Sequence, residues 1–322
     1  MKKLVKRIIS KLELGENIEK EYLESLMILT ARQFSIQRKS SQMNPAQCLA
    51  DFEFKVFSQW GEDGIIDWLV ERLPQIPQVF IEFGVQDYNE SNTRYLLMNK
   101  NWRGLVIDGS RKNIQKIRTS NLYWRYDLTA CQYFITRENI NKIFKENGFL
   151  GEIGILSIDI DGNDYWVWES IDSINPAIVI CEYSAVLGDV YPITIPYIPE
   201  FDRHRIHYSA QYAGASIPAL TILAERKGYS LIGTTSTGVN AFFIRNDLFE
   251  LIQKQILQIK TYPLRASDTR NEKGALTFIR RESRLKLIEA MPVINIETSK
   301  ICRISELDGL YSASWQKYMM GQ

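Results

Sequence analysis

Short apolar runs alternate with amphipathic stretches between residues 79 and 245 of this 322-residue chain. Apolar runs bounded by polar turns indicate buried strands, whereas the stretches between them repeat apolar residues at helical spacing. This alternation predicts a mainly parallel sheet covered by helices. The predicted strands are 79–83, 104–108, 122–126, 154–159, 177–182, 229–233 and 241–245. The predicted helices are 65–70, 91–100, 111–118, 137–147, 164–171 and 216–227.

The last two predicted strands are joined by a short segment, 234–240, that contains Gly238. A connection this short suits an antiparallel hairpin at the edge of the sheet. Seven strands with an antiparallel final strand are the pattern of the class I methyltransferases. The predicted fold class is therefore α/β, with a Rossmann-like, seven-stranded, mainly parallel sheet.

The predicted domain organisation is a helical N-terminal extension over 1–50, a methyltransferase domain over 51–250 and a helical C-terminal extension over 251–322. The first 45 residues are predicted to form two helices with a break near Gly15, and polar residues 38–47 are predicted to be a linker. The N-terminal helices are expected either to cap the domain or to form a homo-oligomer contact.

Composition limits the classes of function. Lys and Arg number 39 against 38 acidic residues, so a net charge of +1 gives no electrostatic reason to expect a nucleic acid partner. The four cysteines have no metal-ligand spacing and are expected to be buried thiols in a reducing compartment. No apolar stretch reaches the about 18 residues of a membrane span. The protein is predicted to be cytoplasmic, without a transmembrane segment.

The first two predicted strands carry the features of a nucleoside site. Gly84 follows the first strand, where the absence of a Cβ atom permits a sharp turn and a close ligand approach. Asp108 ends the second strand, where a carboxylate can accept hydrogen bonds from both hydroxyls of a ribose. Asp127, which follows the predicted third strand, is assigned to the same cofactor site. The alternative interpretation is an ordinary strand-turn-helix repeat with a capping acid.

Three acids follow the fourth and fifth predicted strands. Asp159 and Asp161 share one face because side chains alternate along a strand, and Glu182 ends the neighbouring strand. Such carboxylates could share a hard cation such as Mg²⁺, or one could act as a general base. His204, in the loop after Glu182, is a further catalytic candidate, although histidines in polar loops are more often plain surface residues.

Four segments together resemble the FkbM-type family of S-adenosylmethionine-dependent methyltransferases, over about residues 55–250. The resemblance implies O-methyl transfer, in a family often found with polysaccharide or natural-product synthesis. It also implies that Glu82 and Gly84 belong to the first cofactor motif, that Asp108 binds ribose and that Asp159 is the acid after the fourth strand. The segments are Ser58-Gln59-Trp60-Gly61-Glu62-Asp63, Phe80-Ile81-Glu82-Phe83-Gly84, Ser157-Ile158-Asp159-Ile160-Asp161-Gly162 and Asn240-Ala241-Phe242-Phe243-Ile244-Arg245.

The chain departs from the family where further glycines are usual, because Gln86 and Tyr88 stand in the first loop. The predicted function is an S-adenosylmethionine-dependent O-methyltransferase acting on a hydroxyl of a sugar or glycoconjugate, with Asp159, Glu182 and His204 as catalytic residues. A non-catalytic scaffold is the first alternative. An NAD-linked oxidoreductase is the second, and it lacks the G-x-G-x-x-G phosphate seat. The long loop 183–215 is predicted to cover the acceptor as a lid.

Overall fold

A computed structural model describes residues 2–40, 45–264 and 267–320, and for residues 2–18 and 40 it describes the backbone only. The strands are β1 Val79–Phe83, β2 Arg103–Asp108, β3 Leu128–Gln132, β4 Gly151–Ile158, β5 Ile174–Glu182, β6 Ile193–Thr194, β7 Tyr229–Thr234, β8 Asn240–Arg245, β9 Pro292–Asn295 and β10 Ile301–Arg303. The helices are α1 Lys2–Ser40, α2 Glu62–Arg72, α3 Arg94–Lys100, α4 Arg111–Thr119, α5 Asn121–Arg125, α6 Ile140–Glu146, α7 Asp164–Ser170, α8 Arg203–Ile206, α9 Ile217–Arg226, α10 Asn246–Gln253, α11 Ser283–Ile288 and α12 Ala313–Met320.

Seven strands form one sheet in the order β3-β2-β1-β4-β5-β8-β7. β8 runs antiparallel to both of its neighbours, and the other pairings are parallel. This arrangement confirms the predicted seven-stranded, mainly parallel sheet. The helices α6, α7 and α9 cover one face, and α2, α3, α4 and α10 cover the other. Since both faces are covered, the central strands are continuous apolar runs rather than alternating ones.

The chain changes direction in the sheet at β1. β2 pairs with one side of β1, and β4 pairs with the other side. The loops that follow β1 and β4 therefore diverge at the same edge of the sheet and leave a crevice between them. Ligands of open α/β sheets bind at such a switch point, outside the carboxyl ends of the strands.

The third strand lies further along the chain than predicted. Residues 121–125 form α5, and β3 begins at Leu128. Tyr123 and Trp124 favour a strand by propensity, but Trp124 is 71% exposed and the segment has no buried alternating face. β3 instead buries Leu128, Ala130 and Cys131 in the two cores. Packing has overridden local propensity here.

The N-terminal extension is one helix, not the predicted two, because α1 continues through Gly15. A glycine inside a helix costs only about 1 kcal/mol relative to alanine, which the remaining helix tolerates. Over its last turns α1 packs on α2 and α3, where its Arg38 lies 3.1 Å from the buried carboxylate of Asp67. The helix thus caps the domain. The predicted linker falls partly on residues 41–44, which lie outside the described residues.

The C-terminal extension contains strands as well as the predicted helices. β9 and β10 form a hairpin that joins β6 in a three-stranded sheet. β6 belongs to the loop 183–215, so the C-terminal hairpin holds this loop against the domain. Phe201 and Tyr212 of the loop are buried, and the Tyr212 hydroxyl donates to the carbonyl of Pro292. This packing holds the loop 183–215 in place on the domain. Its role as a lid over the acceptor stays a prediction.

The cysteines are free thiols, and three of them are buried as expected. Burial raises the pKa of the Cys181 thiol well above its ordinary value, which keeps it protonated and unreactive. Among the described residues, none of the helices combines the length and the apolar character that a membrane crossing requires.

Candidate functional site

The floor of the crevice is a close contact between the loops after β1 and β4. Gly84 has a φ of +67°, and a Cβ atom at this position would lie 1.7 Å from the carbonyl oxygen of Asp159. Only glycine fits this contact, because any side chain would overlap the backbone of the other loop. Gly84 therefore sets the distance between the two strand ends that border the site.

Glu82 organises the loop that follows Gly84. Its carboxylate is buried and accepts hydrogen bonds from the backbone amides of Asn92 (2.8 Å) and Thr93 (3.1 Å) and from the hydroxyl of Ser91. Burial raises the pKa of Glu82, and these hydrogen bonds oppose that shift. The carboxylate thus ties the far end of the loop back to β1.

Gln86 and Tyr88 adopt left-handed backbone conformations, with φ of +49° and +63°. At these positions the FkbM-type family, which the chain resembles in sequence, usually has glycines. The loop keeps a conformation suited to glycine although it carries side chains, at a cost of about 1–2 kcal/mol per residue. Tyr88 is buried, and its hydroxyl forms a 3.0 Å hydrogen bond with Thr93. Strain retained in a loop at a ligand crevice is typical of a functional site.

Asp108 joins the loops after β1 and β2. One carboxylate oxygen accepts from the amide of Gln86 at 2.8 Å, and the other accepts from the amide of Ser110 at 2.8 Å and the side chain of Asn113 at 3.1 Å. The residue is buried yet lines a cavity, and the lone pair that these three hydrogen bonds leave over can accept from a ligand.

Two cavities adjoin in the crevice and share Gly84, Gln86 and Asp159 in their walls. The first, which we call the β2 cavity, measures about 190 Å³, and the second, the β1-loop cavity, about 270 Å³. Together they fall within the range of small-molecule sites, about 300–1,000 Å³. The β2 cavity is also lined by Ile107, Asp108, Gly109, Tyr133, Phe134, Ile135, Ile160, Asp161, Asn163 and Phe201. The β1-loop cavity is also lined by Gln59, Glu82, Phe83, Val85, Asp87, Asn89, Glu90, Ser91, Asn92 and Asn240.

The structure brings together the three acids predicted as a cluster. Carboxylate oxygens of Asp159, Asp161 and Glu182 all lie within 4.8 Å of one another. The turn between Asp159 and Asp161 is fixed by Asp164. Its carboxylate accepts hydrogen bonds from the backbone amides of Ile160 and Gly162, at 2.8 Å each. Adjacent strand ends thus present three carboxylates to one point.

Burial, and then the mutual repulsion of the cluster, raise the pKa of both Asp159 and Glu182 well above ordinary carboxyl values. Each of these two carboxyls therefore holds a proton more readily than an exposed carboxyl does.

Arg203 is the cation of this cluster, and sequence reasoning missed it. Its guanidinium lies 2.9 Å from a carboxylate oxygen of Asp161 and 3.3 Å from one of Asp268. His204, the predicted catalytic histidine, is the next residue on α8, but its side chain is exposed. One position along a short helix decides which side chain reaches the acids. The signal available in the sequence was an arginine in the loop after Glu182.

Asp127 is not brought to the site. It precedes β3 and therefore lies at the amino end of the parallel strands, at the opposite edge of the sheet from Asp108. Its side chain is 72% exposed and lies 3.9 Å from Arg103. The assignment of Asp127 depended on the misplaced third strand, since a strand over 122–126 would have put this acid at a carboxyl end.

The strand order, the antiparallel β8 and the crevice beside β1 define a class I methyltransferase fold. Solved structures that match the chain include an O-methyltransferase from Bacillus cereus in complex with SAH, at 12% identity, covering 68% of this chain and 89% of that chain, with a TM-score of 0.38. The N-terminal domain of EvdMO1 with SAH bound matches at 12% identity, covering 66% of this chain and 94% of that chain, with a TM-score of 0.37. A methyltransferase from Clostridium acetobutylicum matches at 10% identity, covering 57% of this chain and 90% of that chain, with a TM-score of 0.37.

No protein-family model and no curated protein matches the chain. The strand order and the strand pairing define the fold.

We expect Gly84→Ala to destabilise the protein by about 3 kcal/mol or more, because it adds a steric overlap to the left-handed backbone penalty. Gly148→Ala is the matched control, since Gly148 has a φ of +73° but no atom within 4 Å of an added Cβ. It should cost only about 1–2 kcal/mol. Urea unfolding of both variants measures the difference, and equal losses would contradict a tight Gly84–Asp159 contact.

Proposed function

We propose that this protein is an S-adenosylmethionine-dependent O-methyltransferase, similar to the FkbM type, that acts on a hydroxyl of a sugar or glycoconjugate. The observation that carries the proposal is the crevice floor, where the contact between Gly84 and Asp159 borders a cavity that is also lined by the ribose-type acid Asp108. An ordinary strand-turn-helix repeat with a capping acid does not need a glycine whose added Cβ atom would lie 1.7 Å from the carbonyl oxygen of Asp159. It also does not need the left-handed backbone of Gln86.

The donor set of the β2 cavity fits the nucleoside part of the cofactor. Asp108 supplies one remaining acceptor for a ribose hydroxyl, and Tyr133 and Phe134 supply aromatic surface for an adenine ring. Asn163 is only 4% exposed, and its amide nitrogen donates to the carbonyl of Ile198 at 2.7 Å. In the part of the chain that the structure describes, its amide oxygen has no hydrogen-bond partner. A buried acceptor without a partner costs about 1–3 kcal/mol, which a ligand donor would recover.

When bound, S-adenosylmethionine supplies an electrophilic methyl group for an acceptor hydroxyl. The chain's own task is to align that hydroxyl and to remove its proton. Asp159 and Glu182 suit proton removal, since burial and mutual repulsion raise the pKa of both carboxyls and so make either carboxylate a stronger proton acceptor. Arg203 holds Asp161 in place, and Glu182 and Arg203 also line a smaller cavity that continues toward Gly214 and Asp268.

A hydroxyl-rich acceptor suits this wall. Sugar hydroxyls donate hydrogen bonds, and the smaller cavity presents the carboxylates of Glu182 and Asp268 as acceptors and Arg203 as a donor. Asp268 comes from the C-terminal extension, and Arg203 comes from the loop 183–215. The acceptor side of the site is thus built by the segments outside the common sheet, which is where specificity would differ between proteins of one fold.

We also propose that Asp159, Asp161 and Glu182 hold a divalent cation such as Mg²⁺. All three offer oxygen ligands, which hard cations prefer. Their carboxylate oxygens lie within 4.8 Å of one another, so the three side chains would reach one cation after a modest approach. A bound cation would lower the pKa of an acceptor hydroxyl, and it would compete with Arg203 for Asp161.

The two alternative functions are a non-catalytic scaffold and an NAD-linked oxidoreductase. A non-catalytic scaffold was suggested by the missing glycines, but the loop keeps the left-handed conformations of Gln86 and Tyr88, which supports a retained site. An NAD-linked oxidoreductase needs a tight glycine turn that leads directly into a helix. Here the loop from Gly84 to Thr93 separates β1 from α3, which gives no such pyrophosphate seat.

We expect Asp108→Asn to weaken binding of S-adenosylhomocysteine by about 1.5–3 kcal/mol, or roughly 10- to 100-fold, because it removes a charged acceptor. Asp127→Asn is the matched control and should leave the dissociation constant unchanged. Calorimetric titration of both variants and the native chain measures the effect. Absence of binding to the native chain would reject the cofactor assignment, and unchanged binding to a folded Asp108→Asn variant would reject the role of Asp108.

For the metal site, we expect Mn²⁺ or Mg²⁺ to bind at one site and to release protons, because the raised pKa values of Asp159 and Glu182 favour protonated carboxyls, and a cation needs ionised ligands. Calorimetry in buffers of different ionisation enthalpy counts the released protons. Glu182→Gln should weaken metal binding about tenfold or more, whereas Glu250→Gln, on the exposed face of α10, should not. A native chain that binds neither ion and keeps full activity in a strong chelator would contradict the metal site.

A further inference from the structure

Helix α1 carries large apolar side chains on the face that points away from the domain. Six of them are between 44% and 69% exposed in the protomer. Single exposed apolar residues are ordinary, whereas several together on one helix mark an interaction surface. We call this group the outer face of α1. Its members are Tyr22, Leu23, Leu26, Leu29, Phe34 and Ile36.

The opposite face of α1 packs on the domain with few large apolar side chains. Among the described side chains of α1, Ala31 is buried in the core, and Met27 and Ile28 pack partly against it. Other contacts on this face are polar, such as the 2.8 Å ion pair between Glu24 and Arg94. A helix at the surface of a monomer turns its apolar stripe to the core and its polar stripe to water. α1 leaves more large apolar side chains in water than it packs on the domain, which indicates that a partner covers its outer face.

The outer face has the residue spacing of a coiled coil. Tyr22, Leu26, Leu29 and Ile36 belong to one row that repeats at alternating intervals of four and three residues. The row extends along α1 from residue 5 to residue 36, and so exceeds the about three to four heptads that indicate a coiled coil. Coiled coils form between helices that present such rows to one another. The row consists of Val5, Ile8, Leu12, Gly15, Glu19, Tyr22, Leu26, Leu29, Gln33 and Ile36.

Charges on the outer side of α1 favour a second, antiparallel copy of the helix as the partner. Glu19 and Arg32 are exposed, and within the part of the chain that the structure describes neither lies in an ion pair. An antiparallel pair with its two-fold axis between Leu26 and Leu29 stacks these leucines on their counterparts. It also brings Glu19 of each copy within about one helical turn of Arg32 of the other. A parallel pair would instead set Glu19 against Glu19, because this residue lies on the row itself.

We propose that the outer face of α1 binds the outer face of a second copy of this chain, so that the two helices form an antiparallel coiled coil. The two domains then lie on opposite sides of the helix pair, because each domain packs on the far face of its own α1. A membrane surface is the competing partner, but a helix at a membrane flanks its apolar face with cations, whereas α1 places Glu19 on the row. The inference does not depend on the proposed methyltransferase function.

Sedimentation equilibrium of the native chain and two variants tests the proposal. We expect the native chain to sediment at twice the 37.4 kDa of one copy. Leu29→Glu should raise the dissociation constant of the dimer roughly 100-fold or more, because it buries a charge at the centre of the interface. Leu251→Glu is the matched control and should leave the dimer intact, since Leu251 on α10 is 50% exposed and Leu29 is 53% exposed. Far-UV circular dichroism checks that both variants keep the fold.

A charge exchange tests the orientation of the two helices. Glu19→Arg should weaken the dimer about 3- to 10-fold, because it brings two cations together on each side of the two-fold axis. The double variant Glu19→Arg/Arg32→Glu should restore the native dissociation constant. Failure of the double variant to restore it would overturn the antiparallel pairing.

A native chain that sediments at 37.4 kDa at every concentration would overturn the inference, and this result needs no variant to fold. So would a folded Leu29→Glu variant that stays dimeric. Binding of a monomeric native chain to phosphatidylserine vesicles would assign the outer face to a membrane instead.

Discussion

The contact between Gly84 and the carbonyl of Asp159 is the constraint on which the rest of the site depends. It holds the loops after β1 and β4 so close that no Cβ atom fits between them. From this contact the loop after β1 turns toward Asp108 through the amide of Gln86, while the loop after β4 turns toward Glu182. Both cavities share the two residues of the contact as a common wall. A small geometric requirement of the backbone therefore positions acids from three different strands.

Charge is the second constraint. Asp159 and Glu182 are half-buried and face the exposed Asp161, and Arg203 offsets part of the repulsion among the three carboxylates. Burial alone would favour neutral carboxyls. A cluster of like charges is costly for stability, and such clusters are frequent at functional sites.

The sequence predicts the parts of the fold that depend on local patterns. β1 has its predicted bounds, and the strand ends at Asp108 and Glu182 are as expected, because apolar runs with clear polar ends leave little ambiguity. β3 was misplaced because aromatic residues in α5 imitate a strand. Arg203 was missed in favour of His204 because the facing side of a short helix is set by tertiary contacts. The hydrogen bond from the side chain of Asn240 to the carboxylate of Glu62 joins two residues that no local sequence pattern connects.

Amide hydrogen exchange with and without S-adenosylhomocysteine tests the central claim most directly, because it locates the bound ligand on the chain. If the crevice at the switch point is the cofactor site, the ligand should slow exchange in the loop after β1, around Gln86, and at the start of α4, after Asp108. Exchange around Asp127, at the opposite edge of the sheet, should stay unchanged. Equal exchange rates throughout the chain at saturating ligand would contradict the account.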